Sequence, residues 1–265
     1  MQKRRGINNN TKILPIKTHY LTEITTMLHK NLLSAALATT LMAGAITVQA
    51  APEISGNVSL TNDYRFRGIS QSDESPAISG GFDIAWDTGI YVGTWASSVD
   101  FDSNDGYDGS LELDYYAGWA GDLTDNVGVD VGVMVYTYPG DNGAEGDYNE
   151  LYLSVSLFGG SVGAVYSDDY YGETGTFYYL TGDYSFPLGE MFSLDLHAGY
   201  GDVEKDGGFF SSDTDSYFDY SAGISASWLA VDWSVAYIGT DLDKDDVFGT
   251  DWAEDTVVFT ISKSM

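Results

Sequence analysis

From about residue 53 to its end the chain alternates apolar with polar or small side chains at every second position. Only extended strands whose two faces meet different surroundings satisfy that period. Asn126–Tyr136 shows it best, with Val127, Val129, Val131, Val133 and Val135 on one face and Gly128, Asp130, Gly132 and Met134 on the other. Leu111, Leu113, Tyr115, Ala117 and Trp119 stand in the same way against Glu112, Asp114, Tyr116 and Gly118. A third case sets Phe218, Tyr220, Ala222, Ile224, Ala226 and Trp228 against Asp219, Ser221, Gly223, Ser225 and Ser227. The expected class is all-β.

About twelve such segments follow one another, near 54–66, 77–87, 89–98, 111–121, 126–138, 148–158, 161–170, 176–186, 191–203, 217–228, 231–241 and 255–264. Short joins at 87–89, 121–126, 159–160, 187–190 and 229–230 alternate with mostly longer, acidic ones at 67–76, 99–110, 139–147, 171–175, 204–216 and 242–254. An even number of antiparallel strands with short turns at one end and long loops at the other is the pattern of a transmembrane up-and-down β-barrel. A soluble sandwich also alternates, but its outer face carries mixed charges with many lysines. Here the polar face is Gly, Ser, Thr, Asp and Tyr with almost no Lys, which suits a water-facing lumen.

Residues 27–50 read as an export signal: Lys30 opens a short apolar run from Leu32 to about Ile46, and Val48-Gln49-Ala50 precede Ala51. A membrane anchor is the alternative, but the run falls short of the ~20 residues a spanning helix needs. Residues 1–26 form a polar, basic lead, either an extended front or a start upstream of a true Met27, so the folded unit is expected at 51–265. Six of the 11 basic residues but one of the 40 acidic residues precede Ala51. Five bases and 39 acids then remain, a net charge of −34. Such a surface repels nucleic acid. The chain has no cysteine, which removes thiol catalysis and zinc–thiolate sites.

Aromatic residues gather near the expected strand ends. Trp86, Trp119, Phe158, Phe186, Phe192, Trp228 and Trp233 border the short turns, and Tyr64, Phe66, Tyr170, Tyr171 and Tyr200 lie toward the long loops. Girdles of this kind sit at membrane interfaces, although cross-strand pairing also gathers aromatic residues.

The run Leu60–Phe101 contains Thr61-Asn62-Asp63-Tyr64-Arg65-Phe66-Arg67-Gly68-Ile69-Ser70-Gln71, then Pro76-Ala77, Gly80-Gly81-Phe82-Asp83, Tyr91-Val92-Gly93-Thr94-Trp95 and Val99-Asp100-Phe101. It resembles the opening of the TorF-type porin family of proteobacteria, as does the C-terminal Val257–Ser264. The resemblance implies a barrel in the outer membrane of a Gram-negative bacterium, with outer-membrane lipids, the barrel-assembly machinery and small ions or solutes as partners. Barrels of this kind usually end in an aromatic residue. This chain ends in Met265, but the alternating Val257, Phe259 and Ile261 remain, so assembly is expected to work, at lower efficiency.

If Val58, Leu60, Tyr64 and Phe66 face lipid, then Asp63, Arg65 and Arg67 face inward, with Asp83 near them. Opposed charges across a narrow lumen would orient a permeating solute. Alternatively the arginines neutralise Asp63 and Asp83 and hold the barrel rigid. Carboxylates crowd the long loops, with Asp73 and Glu74, then Asp100, Asp102, Asp105 and Asp108, Asp202, Glu204 and Asp206, and Asp241, Asp243, Asp245 and Asp246. They should concentrate cations at the mouth. Asp100-Phe101-Asp102 and Asp241-Leu242-Asp243 lack the glycine and terminal Glu of a calcium loop, so a solvated acidic surface is expected and no metal or other cofactor. His197 stands two residues from Asp195, with Ser193 on the same face; residues so spaced on a strand are about 7 Å apart, too far for a direct hydrogen bond, so no catalytic set is expected. The function expected is passive diffusion of small solutes or ions with a preference for cations. The alternatives are a non-conducting barrel with cation- or surface-binding loops, which inward Tyr116, Tyr136 and Tyr152 would favour by filling the lumen, and an outer-membrane hydrolase.

Overall fold

The structure is a computed structural model that describes residues 51–101, 109–140, 146–204 and 207–265. The expected export signal and its lead lie outside the described residues, as do Asp102, Asp105, Asp108 and Asp206. Among the described residues fourteen strands follow in order: β1 Glu53–Thr61, β2 Arg65–Phe66, β3 Ile69–Ser70, β4 Ala77–Ala85, β5 Ile90–Ser98, β6 Leu111–Thr124 and β7 Val127–Thr137, then β8 Tyr148–Leu157, β9 Gly160–Ser167, β10 Phe177–Leu188, β11 Phe192–Val203, β12 Ser216–Trp228, β13 Val231–Thr240 and β14 Thr256–Ser264.

Twelve of them close into an antiparallel barrel, each paired with the next in sequence, and β1 meets β14 to seal it. Leu60 stands opposite Ile261 in that seam, and Gly56 and Met265 exchange both backbone hydrogen bonds at 3.1 and 2.9 Å. A closed barrel leaves no strand edge without a hydrogen-bonding partner.

The period-two faces fall as the alternation requires. Val131, Val133, Leu151, Leu153, Phe218 and Ile224 are exposed on the outside, whereas Glu112, Asp114, Asp130, Glu150 and Asp219 are buried inside. Lumen-facing glycines make room for rings lying flat on the wall: a Cβ on Gly118 would meet the Tyr91 ring, and one on Gly201 the Tyr217 ring. At one end the turns are tight. Phe158-Gly159 and Leu229-Ala230 take positive φ at both central residues (49° and 86°, 55° and 57°), the geometry that joins right-twisted strands in two residues.

The expected first strand, 54–66, breaks earlier. β1 ends at Thr61, directly opposite Ala77 of β4, and residues 63–72 of the connection fold into the barrel. Asn62 caps the break, its amide donating to the Phe259 carbonyl at 3.2 Å and its side chain to that of Val257 at 3.3 Å. Tyr64 and Phe66 therefore point into the interior, because past Thr61 the chain no longer obeys the strand period. The outer aromatic girdle is correspondingly different. Tyr170 and Tyr171 pack inside with Tyr64 and Phe66, while Tyr115, Tyr166, Tyr178, Phe218, Tyr220 and Tyr237 are exposed on the exterior toward the long loops. Tyr200 does belong to it, 4.8 Å from Phe218 ring to ring.

Candidate functional site

The inward connection crosses the lumen. Its hairpin β2–β3 turns on Arg67 (φ 50°) and Gly68 (φ 83°), and a Cβ at Gly68 would strike Thr240 of β13 and Asp219 of β12, so glycine serves both the turn and the close approach. The two arginines are the struts. Arg65 donates to Asp63 at 2.6 Å and to the carbonyls of Trp252 and Glu254 at 2.7 and 3.0 Å, tying the segment to the β13–β14 loop. Asp63 is held in turn by the Ser70 hydroxyl at 2.7 Å. Arg67 reaches across to β8, where its two terminal nitrogens meet the two Glu150 oxygens at 2.6 and 2.8 Å. Its guanidinium lies over the rings of Phe66, Phe177 and Tyr179 at 4.4, 4.9 and 4.7 Å. Both side chains are almost fully buried, 2% and 8% exposed. A forked cation matched to one carboxylate and stacked on aromatic faces is an arrangement that lysine does not reproduce.

Of the residues expected together, Asp63 joins Arg65, but Asp83 sits apart on β4, where it accepts from Tyr116 at 3.2 Å and Ser55 at 3.5 Å. The partner of Arg67 is Glu150, which sequence reasoning did not single out. The signal was present, since Glu150 lies on the polar side of an alternating strand, as do Glu112, Asp114, Asp130 and Asp219. These carboxylates give the lumen wall its acidic character.

Tyr136, Tyr148, Tyr170, Phe177 and Tyr217 pack with Phe66 and Ile69 of the inward segment into an aromatic mass filling the loop end of the barrel. Tyr136 and Tyr148 stack at 4.3 Å, Tyr170 and Phe177 at 4.1 Å. Tyr116 is buried lower down, and the Tyr91 hydroxyl is hydrogen-bonded to Tyr152 at 2.8 Å and to Asp130.

A cavity of about 280 Å³ lies against Asp183, Asp195, His197, Ser221 and Ser234. His197 does not face Asp195, whose oxygens accept from Ser185 and Ser225 at 2.7 and 2.8 Å. Its ring nitrogens instead lie 2.7 Å from Asp183 on β10 and 2.8 Å from Asp219 on β12, with the Tyr179 hydroxyl at 3.1 Å. The partners come from neighbouring strands, which spacing along one strand cannot reveal.

At the mouth, Asp100 and Asp243 are exposed, as is Asp245. Asp241 accepts from the Phe218 amide at 2.7 Å and so serves the end of β12. The Ser212 hydroxyl, with the Asp243 amide and the Thr214 hydroxyl, holds the Asp246 carboxyl below its usual range. Lys244 pairs with Asp251 and Glu254. Among the described residues no three His, Asp or Glu side chains gather so as to hold a metal ion.

A solved structure shares this architecture. The NanC porin superposes with a TM-score of 0.50 at 12% identity, covering 79% of this chain and 98% of that one. The KdgM porin gives 0.49 at 8% identity, with 80% and 96% covered. Identities so low speak for the fold alone. No curated protein matches the sequence. Residues 45–265 match the model of Gcw_chp, described as a bacterial protein of unknown function, and the chain belongs to that family.

Proposed function

We propose that this protein is an outer-membrane barrel of the TorF porin type, a narrow passive channel for small hydrophilic solutes or ions that prefers cations. The observation that carries the reading is the opposition of faces: apolar side chains exposed around the outside of a closed barrel, and buried carboxylates at Asp83, Asp114, Asp130, Glu150 and Asp219 along its wall. A lumen in which carboxylates outnumber cations, set in low-dielectric walls, concentrates counter-ions. Both ring nitrogens of His197 are engaged by carboxylates, which speaks against a role as base for a nucleophilic serine.

Purified protein in planar bilayers should show stepwise conductance with a cation-to-anion permeability ratio above one. That ratio should fall toward one between ~0.1 M and ~1 M salt, as the screening length drops from about 10 Å to about 3 Å. Anion preference at low salt would remove the selectivity claim.

A second reading rests on the aromatic mass and the buried arginines that fill the loop end. In it the barrel does not conduct, and its loops engage cations or a surface component. Silent bilayers containing folded protein would select it.

A further inference from the structure

Phe66, Phe101, Tyr138, Tyr171, Phe209 and Trp252 come one from each of the six long connections, and together they line a single cavity of about 300 Å³ at the mouth of the barrel. Small-molecule sites begin at about this size. The rings stand around the space. Tyr138 and Tyr171 meet edge to face at 5.2 Å, and Phe101 is 5.9 Å from each of them and 6.3 Å from Trp252.

The chemistry of the lining narrows what it can take. Among the described residues that line it, none carries a charged side chain, in a chain of net charge −29. Its non-tyrosine hydrogen-bonding side chains are spent on the protein: the Ser70 hydroxyl on Asp63, the Gln71 amide on the Ile69 carbonyl, the Thr174 hydroxyl on the Tyr171 carbonyl, and the Trp252 indole N–H on Asp73. A sugar's several hydroxyls would find chiefly the hydroxyls of tyrosines to meet them, and an anion would find no cation among the described lining residues, in a strongly acidic surrounding. An alkylated ammonium ion needs no hydrogen bonds, is drawn by the acidic field, and is attracted to aromatic faces. The protein already uses that attraction, since Phe66 of the cavity is also one of three rings over the Arg67 guanidinium.

We propose that this aromatic vestibule binds a small alkylated organic cation of the trimethylammonium class. The site deepens the cation-preferring reading without depending on conduction. Binding to a silent barrel would keep the site and remove the channel, and a conducting barrel that does not bind would do the reverse.

The test is calorimetric titration of the full detergent-folded protein with choline and with tetramethylammonium, against glucose and acetate as neutral and anionic controls. Saturable binding of both cations, with neither control binding, is expected. Tyr171→Leu and Phe101→Leu keep apolar bulk but remove a π face, and each should weaken binding about tenfold, whereas Tyr171→Phe should bind as the parent does. Should one leucine variant fail to fold, the other carries the test. Absence of saturable cation binding to the folded parent overturns the proposal. So does glucose binding as tight as that of choline, or folded leucine variants with parental affinity.

Discussion

Arg67 carries a charge into the interior of the barrel at its loop end, where water is scarce and the compensating group must be supplied by the protein. Glu150 supplies it with both oxygens, and the Tyr136 hydroxyl donates to the same carboxylate at 3.0 Å. Removing one member of such a pair leaves the other charged and unmatched. Arg67→Ala should therefore cost about 3–5 kcal/mol, read from urea unfolding of the barrel in lipid vesicles. Arg67→Lys should recover only part of that, because an ammonium cannot engage both oxygens as a fork. Since the two residues share one interaction, Arg67→Ala combined with Glu150→Ala should cost less than the two single changes added together. An Arg67→Ala protein that unfolds at the parental urea concentration would show that this pair does not fasten the inward segment.

At the scale of an element, β8 shows how one strand serves two solvents. Leu151 and Leu153 are exposed outside, 56% and 46%, whereas Glu150 between Asn149 and Leu151 is 3% exposed inside. Leu153 pairs with Val131 and Ala164, apolar residues on both neighbouring strands, so the outer surface there is a continuous greasy band. Leu153→Arg should destabilise the barrel in bilayers by about 2–4 kcal/mol, the cost of a cation near the midplane. Ser154→Asn, one residue along and facing the lumen, should cost under about 1 kcal/mol. Equal costs at the two positions would mean that the outer face does not meet lipid. β1 marks the limit of such reasoning. Its alternation continues in the residues beyond Thr61, but the backbone leaves the sheet there and side chains from both apparent faces turn inward.

For the molecule as a whole, the channel reading makes the inward segment the part that limits passage. Thr61 and Ala77, on either side of it, are directly paired across β1 and β4, so the barrel can be closed there without residues 62–76. Replacing them with a two-residue Asn-Gly turn preserves the register and removes the crossing segment with both arginines. Conductance in planar bilayers should then rise several-fold over the parent. A folded deletion variant with parental conductance would place the limiting constriction elsewhere, among the strand-borne tyrosines such as Tyr91, Tyr116 and Tyr152.

The alternation and the rhythm of short and long joins determined the class of fold, the number of barrel strands and which face of each strand looks outward. These are local properties, because a side chain's face follows from its parity along the strand. The carboxylate lining was also legible in that pattern, at Glu112, Asp114, Asp130 and Asp219. Only the tertiary structure decided where Arg65 and Arg67 end, that Glu150 rather than Asp83 receives Arg67, that His197 lies between Asp183 and Asp219, and that six loops converge on one aromatic cavity. The physical reason is common to all four. Each contact joins residues on different strands or loops, and closing the barrel brings together groups whose separation along the chain says nothing of their distance across the lumen.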